Sequence, residues 1–215
     1  HEIHNPLASI RIALQASLRG MRNGDMDACE LTRYLELVDR EIDRCVSITQ
    51  LLMLMSQPAG EGTSVVRVAD AIDQTTSLLR EEARREAKSI DIDIQPDSLC
   101  VRADEGEFRM VILNLAQNAL HAMRQGGAFR VVGRARGAWC KIDFRDNGSG
   151  IAPENLQSIF LPFFSRRADG TRGTGLGLAI SRANVERWGG SLTVDSELDV
   201  GSVFHVTLPL WEPPA

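Results

Sequence analysis

The sequence opens with HEIHNPL, which combines an imidazole, a carboxylate, an amide and a proline at the start of an apolar-striped helical pattern. Neutral imidazole is a good nucleophile near pH 7, and the carboxylate of Glu2 can orient the His1 ring and accept its proton. Asn5 lies about one helical turn beyond His1, on the same face. Taken alone, Asn5 followed by Pro6 is also a common helix start, with Asn5 as the N-cap.

Two asparagines, Asn114 and Asn118, are four residues apart and share one line of a predicted helix. Amides stacked in this way can present carbonyl oxygens to a hard cation carried by phosphates, as Mg²⁺ prefers. Solvated or hydrogen-bonded asparagines are the alternative. The apolar face of the same helix lies well round from this pair and consists of Phe108, Ile112, Leu115, Ala119 and Met123.

The segment DNGSGI, residues 146–151, directly follows a strand pattern. The carboxylate of Asp146 can accept a hydrogen bond from an exocyclic amine, and Gly148 and Gly150 let the backbone approach a flat ligand. The same residues are also ordinary turn formers, so this segment alone leaves both interpretations open.

A second glycine-rich segment, GTRGTGLGL at 170–178, precedes another predicted helix. Glycines at 173, 175 and 177 free backbone N–H groups to face a phosphate, and the helix N-terminus adds a favourable dipole. A flexible loop that caps a helix is the alternative. The segment is neither the dinucleotide fingerprint nor a Walker loop, since it lacks the strand–turn–helix frame and the Lys-Ser/Thr that these require.

Residues 1 to about 56 must position the first group, and they show helical spacing only. A period near 3.5 runs through both halves and predicts an antiparallel hairpin with coiled-coil-like packing. The two stretches of this seam are Ile3, Leu7, Ile10, Leu14 and Met21, with a slot at Ser17, then Leu31, Leu35, Val38, Ile42, Cys45 and Leu52, with Thr49 interrupting. A second apolar stripe widens the later helix, and two helices cannot bury two stripes. We therefore expect a dimeric four-helix bundle, the alternative being packing of the hairpin onto the rest of the chain.

The polar, Gly/Pro-punctuated stretch SQPAGEGTS at 56–64 predicts a boundary between a helical domain, 1–57, and a second domain, 66–212. Beyond it, helical patterns alternate with runs of strand patterns: one helix over 68–87, a strand at 89–95, the long helix from 105, two paired strands over 129–146, a helix over 174–189 and two closing strands. Adjacent strands with helices on one side predict an α+β two-layer sandwich.

Composition limits the partners. The net charge of −5 argues against a sequence-blind nucleic-acid binder, and no apolar run approaches the length of a membrane-spanning segment. The four cysteines show no C-x-x-C pairing and favour reduced thiols and a cytoplasmic location.

The order of the motifs is more informative than any one of them. N-x-x-x-N on a helix, D-x-G-x-G after a strand, FLPFF and then G-x-G-x-G before a helix closely resemble the ATP-binding domain of the sensor histidine kinases. That domain belongs to the wider GHKL type, which includes gyrase, the mismatch-repair ATPases and the heat-shock chaperone. The resemblance covers nearly all of 66–212, and HEIHNPL looks like the phosphoacceptor motif H-E-x-x-N/T-P-L of the dimerisation bundle.

The resemblance implies an all-α helical hairpin, paired into a dimeric four-helix bundle, followed by an α+β two-layer sandwich of the GHKL ATPase type. His1 would accept the phosphoryl group of ATP, Glu2 would be the neighbouring acid, and Asn5 would assist reverse phosphatase chemistry. Nucleotide contacts are implied for Asn114, Asn118, Asp146, Gly148, Gly150, Phe163, Arg167, Gly173, Thr174, Gly175, Leu176 and Gly177. Mg²⁺ would be held by Asn118 and Asn114.

The resemblance also implies a homodimer that passes the phosphoryl group to an aspartate of a response regulator, and a lid over about 152–172 that orders on nucleotide. Two rival functions stay open. One is a non-catalytic, nucleotide-binding dimeric scaffold. The other is an ATPase-driven clamp, which would need a hydrolysis-promoting acid at position 114 and a transducer domain, whereas position 114 is asparagine.

Overall fold

A computed structural model describes residues 4–56, 62–165 and 174–211. The chain divides into two compact units, His1–Ser56 and Gln57–Ala215, called here the N-terminal and C-terminal units. In the described part of the chain, no helix is long and apolar enough to cross a membrane.

The N-terminal unit is a helical hairpin of α1 (His4–Asn23) and α2 (Ala28–Ser56). The turn between them reverses at Gly24, whose φ of +72° favours glycine. Asp27 then caps α2, because its Oδ1 accepts the N–H of Glu30 at 2.7 Å. The predicted all-α hairpin is therefore confirmed.

The seam expected inside this hairpin differs from the observed one. Leu7, Leu14 and Met21 are 51%, 42% and 61% exposed, whereas the small residues Ala13 and Ser17 are buried. Small side chains let two helices approach closely, which leaves the larger apolar side chains of α1 on the outside. The large apolar residues that recur along α1 thus form a face that a single hairpin leaves exposed to water.

The C-terminal unit is built on a five-stranded sheet in the order β2-β4-β5-β7-β6. Its strands are β2 (Ser89–Gln95), β4 (Ala128–Arg136), β5 (Trp139–Asp146), β6 (Ser191–Glu197) and β7 (Gly201–Pro209). Only the β2–β4 pair is parallel, and the other three pairs are antiparallel. A smaller antiparallel sheet pairs β1 (Ser64–Arg67) with β3 (Cys100–Ala103).

The helices of this unit are α3 (Val68–Ser77), α4 (Arg80–Arg85), α5 (Glu105–Ala122) and α6 (Gly177–Arg187). Helix α5 contacts β4, β5, α3 and α6, and so occupies the centre of the helical layer. The core between the layers buries Phe108, Ile112 and Leu115 of α5 with Phe129, Val131, Ile142, Phe144, Val206 and Leu208 of the sheet. This arrangement confirms the predicted two-layer sandwich.

Two details of the prediction were wrong. The single helix expected over 68–87 is divided into α3 and α4. At the end of α3, the hydroxyls of Thr75, Thr76 and Ser77 each donate to a carbonyl three or four residues back. Such local bonds compete with continued helix. The short strands β1 and β3 were not expected, because four residues carry too little alternation to be recognised.

Candidate nucleotide site

Three residues of α5, Asn114, Asn118 and Ala122, follow one another at intervals of four and therefore lie along one line of the helix. Asp104 starts the helix, since its Oδ1 accepts the N–H of Glu107 at 2.9 Å. The line from Asn114 to Ala122 extends about 12 Å along the axis. Each end of it contacts one of the two glycine segments singled out in the sequence.

At the first end, Asn114 contacts the beginning of α6. Its Nδ2 lies 3.3 Å from the carbonyl oxygen of Gly177 and 3.3 Å from Oγ of Ser181. A β-carbon at position 177 would stand 3.3 Å from Cγ of Asn114, so glycine provides the space for this contact. The amide of Asn114 therefore joins α5 to the first turn of α6.

Asn118, one turn further along, is half-buried. Its amide makes no hydrogen bond to any other residue of the described ranges 4–56, 62–165 and 174–211. A half-buried amide without a protein partner leaves its oxygen available to a ligand or a cation.

At the second end, the loop 147–150 packs on the C-terminus of α5. The carbonyl of Ala122, which has no partner within the helix, accepts the N–H of Ser149 at 3.0 Å. A β-carbon at Gly148 would be 2.7 Å from backbone atoms of Ala122, and one at Gly150 would be 2.0 Å from the carbonyl oxygen of Glu197. Both glycines are therefore required by close backbone contacts.

Asp146 is the charged group at this end. Its Oδ1 accepts the N–H of Gly148 at 2.8 Å, and the backbone N–H of Ser202 also donates to the carboxylate. Burial raises the pKa of Asp146 above the ordinary value of 3.8, although these two hydrogen bonds act in the opposite direction. The carboxylate is thus a partly desolvated hydrogen-bond acceptor with limited access to water.

The segment that precedes α6 returns to the phenylalanine-rich stretch. A β-carbon at Gly175, which has φ of +67°, would lie 2.5 Å from the carbonyl carbon of Phe163. Phe163 itself has φ of +66° and is half exposed. Thr174 Oγ1 accepts the N–H of Leu176 at 3.4 Å, and the Leu176 side chain is fully buried. The backbone at Gly175 therefore packs directly against that of Phe163.

The remaining expected site residues are His1, Glu2, Asn5, Arg167 and Gly173. His1, Glu2, Arg167 and Gly173 lie outside the described residues, as does most of the glycine-rich part of the expected lid. Asn5 lies in the first turn of α1, in the N-terminal unit, and its side chain is exposed. The described residues therefore show the place of the expected nucleotide contacts and not that of His1 and Glu2.

Sequence reasoning missed three contributors to the site. Ser181 contacts Asn114, Ala122 receives the loop after Asp146, and Gly201 lets β7 approach Asp146, where a β-carbon would be 2.1 Å from its carbonyl oxygen. Ser181 could have been found from its position four residues after Gly177 on the same helix face. The other two make backbone contacts, which carry no signal in the side-chain pattern.

These groups fit an elongated ligand with a flat amine-bearing end and an anionic end. The desolvated acceptor of Asp146 and the close-packed glycines stand at one end of the line. The N-terminus of α6, with glycines at 175 and 177, stands at the other and favours negative charge. The oxygens of Asn114 and Asn118 are the protein groups suited to a cation between them.

Comparison with known families agrees with this geometry. Residues 103–212 match the family described as histidine kinase-, DNA gyrase B-, and HSP90-like ATPase, and residues 1–61 match the His Kinase A (phospho-acceptor) domain. The chain belongs to this ATPase family and, with its phosphoacceptor domain, constitutes a histidine kinase catalytic core.

Particular relatives support the assignment. The chain is 34% identical over 212 residues to the sensor histidine kinase ZraS of Klebsiella oxytoca, covering 98% of this chain and 44% of that protein. It therefore spans less than half the length of this relative. The catalytic domain of the histidine kinase ThkA superposes with a TM-score of 0.62 at 26% identity, over 68% of this chain and 95% of that domain.

A complex of ThkA with the response regulator protein TrrA gives a TM-score of 0.71 at 23% identity, over 97% of this chain and 59% of the ThkA chain. At this identity the likeness concerns the fold alone.

The close approach at Gly150 can be separated from its backbone conformation. Gly137 has φ of +59° with nothing within 4 Å of where a β-carbon would stand, whereas at Gly150, with φ of +66°, a β-carbon would be 2.0 Å from Glu197. Gly137→Ala should cost about 1–2 kcal/mol for the left-handed conformation alone. Gly150→Ala should cost at least about 2 kcal/mol more in urea unfolding. Equal costs would show that the loop can move away from β6.

The raised pKa of Asp146 predicts a pH-dependent stability. Because the folded protein binds this proton more tightly than the unfolded chain, the charged carboxylate lowers stability at every pH above its folded-state pKa. The cost disappears as the pH falls to the unfolded value of about 3.9. Asp146→Asn should therefore unfold at higher urea than the wild type at pH 7, with the difference shrinking on acidification. A less stable variant at neutral pH, or a pH-independent difference, would contradict this.

Proposed function

We propose that this chain is the working core of a homodimeric sensor histidine kinase that binds Mg·ATP in the C-terminal unit and transfers its γ-phosphoryl group to His1. The observation that carries the proposal is the line Asn114–Asn118–Ala122 on α5, whose two ends contact the two glycine segments. Only an elongated ligand would use both ends, and a purine nucleoside triphosphate has the matching chemistry.

The chain's own groups divide the work of holding the nucleotide. Asp146 accepts the exocyclic amine of the base, and Gly148 and Gly150 admit the flat ring. Backbone N–H groups near Gly175 and Gly177 face the phosphates at the start of α6. Asn118 and Asn114 would hold Mg²⁺ through their amide oxygens. When bound, Mg²⁺ neutralises phosphate charge as the phosphoryl group leaves.

Transfer then needs a positioned nucleophile. A nitrogen of the neutral His1 ring attacks the γ-phosphorus, a nitrogen–phosphorus bond forms, and the bond to the ADP oxygen breaks. The other ring nitrogen sheds its proton to the carboxylate of Glu2. Phe163, Thr174 and Leu176, with Arg167 and Gly173 beside them in sequence, belong to the segment that we assign to covering the nucleotide.

The phosphoryl group would pass next to an aspartate of a response regulator docked on the hairpin. The match of residues 1–61 to the His Kinase A (phospho-acceptor) domain supports a relay that starts from this hairpin. Asn5, exposed in the first turn of α1, is the side chain that we assign to the reverse, phosphatase reaction. We place the core in the cytoplasm, where such a regulator would be found.

The dimer is supported by exposed apolar surface on the N-terminal unit. Among the hairpin side chains whose exposure the structure describes, eight large apolar ones are more than two-fifths exposed: Leu7, Ile12, Leu14, Leu18, Met21, Leu35, Ile42 and Val46. Apolar surface on this scale marks an association site, and two hairpins that share it would form a four-helix bundle.

The rival clamp function finds no support at α5. Its hydrolytic acid would have to stand at position 114, and the nearest preceding acid on that helix face, Glu107, is ion-paired with Arg187 of α6. The rival scaffold would also bind nucleotide, but it would have no use for the His1 and Glu2 pair that the sequence retains.

Labelling with γ-labelled ATP and Mg²⁺ tests the kinase directly. With a short helical leader fused ahead of His1, the chain should gain acid-labile, base-stable label, because a phosphoimidazole has that stability profile. His1→Gln should abolish the label, and His4→Gln is the matched control that keeps it. Phosphate release without labelled protein would indicate the clamp, and neither label nor phosphate release would indicate the scaffold.

The oligomeric state tests the dimer. The wild-type chain should sediment at twice its mass of 23.7 kDa. Leu18→Glu places a charge in the exposed apolar surface of α1 and should produce monomers, because an unpaired charge is costly to bury. Leu78→Glu changes a leucine of the C-terminal unit that is even more exposed than Leu18, and it should leave the dimer intact. A monomeric wild type would contradict the bundle.

A further inference from the structure

A row of polar contacts joins α5 to α6. At one end, Arg187 of α6 is paired with Glu107 of α5 and lies 3.2 Å from Oδ1 of Asn184. At the other end, Asn114 contacts Ser181 and Gly177. The contacts run in opposite directions along the two helices, so α6 is antiparallel to α5. Along α5, Asn114 is thus the last residue of this row of contacts, one turn before Asn118.

The amide of Asn114 has a defined orientation. Its nitrogen donates to the carbonyl of Gly177 and to Oγ of Ser181, both at 3.3 Å. Turning the amide over would place its oxygen against the Gly177 carbonyl, so that two acceptors would face each other. Ser181 is fully buried and has no exposure to water. Because its hydroxyl cannot reach water, the hydrogen-bond partner of this hydroxyl has to come from the protein.

Gly177 provides space beside this amide. A β-carbon there would stand 3.3 Å from Cγ of Asn114, 3.4 Å from its Oδ1 and 3.6 Å from its Nδ2. Glycine therefore leaves the space beside the amide, including its oxygen, free of a side chain at the point where the chain enters α6. Gly177 and Ser181, four residues apart on one face of α6, thus serve the same amide in two ways.

From this geometry we infer that Ser181 is a positioning residue: it holds the amide nitrogen of Asn114 on α6, so that the amide oxygen would be left to hold the Mg²⁺ of a bound nucleotide. The inference rests on the proposed Mg-nucleotide site. Ser181 touches neither nucleotide nor cation. Its effect therefore concerns the gain in nucleotide affinity that Mg²⁺ provides and not the affinity for the base.

Calorimetry with ADP separates these two effects. The dissociation constant is measured with saturating Mg²⁺ and again with EDTA, and their ratio is the Mg²⁺-dependent gain. Ser181→Ala removes the acceptor and should reduce this gain about fivefold, the effect of one net hydrogen bond. The affinity in EDTA should be unchanged. Cysteine is nearly isosteric with serine and is a weaker acceptor, so Ser181→Cys should show a Mg²⁺-dependent gain between those of the wild type and Ser181→Ala.

Gly177→Ala tests the oxygen side. Residue 177 is helical, so alanine is tolerated by the backbone and improves helix propensity. The methyl group would stand within contact distance of Cγ and Oδ1 of Asn114 and should also lower the Mg²⁺-dependent gain, whereas the affinity in EDTA should be unchanged. Thr75→Val is the matched control: it deletes a buried hydroxyl of α3 that bonds only to Ala71 and should leave the gain at the wild-type value.

The outcomes are distinct. A wild-type chain without ADP affinity would contradict the proposed function itself. A wild-type chain with a Mg²⁺-dependent gain that Ser181→Ala leaves unchanged would overturn the inference alone. Parallel losses of melting temperature and of affinity in EDTA would also overturn it, because Ser181 would then only stabilise the packing of the two helices.

Discussion

The partial burial of the Asp146 carboxylate is the constraint on which the rest of the site depends. A desolvated carboxylate lowers stability unless hydrogen bonds compensate, and here the backbone N–H groups of Gly148 and Ser202 supply them. Those bonds require the loop to return tightly, which in turn requires glycines where β-carbons would collide with Ala122 and Glu197. The glycines that follow Asp146 are therefore required by the hydrogen bonding of its carboxylate.

Helix α5 transmits this constraint to the other half of the site. Its C-terminal carbonyl at Ala122 receives the loop after Asp146, and Asn114, two turns earlier, receives the first turn of α6. Because the helix is rigid and its apolar face is packed into the sheet, the spacing between the two glycine segments is fixed. A site that binds both ends of one ligand can then be formed before the ligand arrives, which lowers the cost of binding.

The sequence predicted the elements that carry long periodic patterns, and it predicted the residue types at both ends of the site. It could not give the contacts between Asn114 and Ser181, nor the division of α3 from α4, because these depend on tertiary packing and on hydroxyl bonds to local carbonyls. The hairpin shows a different limit. Its apolar period correctly predicted two helices and a seam position at Ser17, but Ala13 and Ile48 are buried with Ser17, while the larger seam residues of α1 are exposed. Periodicity alone does not state which chain covers a face.

The role of Asp146 as acceptor of the base amine is tested most directly by comparing ATP with inosine triphosphate, which carries an oxygen in place of that amine. Calorimetry with Mg²⁺ should show that the wild-type chain prefers ATP by at least about tenfold, because a carboxylate would face the inosine oxygen without a proton between them. Asp146→Asn, whose amide can donate to that oxygen, should lose the preference. Equal affinities in the wild type, or an unchanged preference in the variant, would contradict the account.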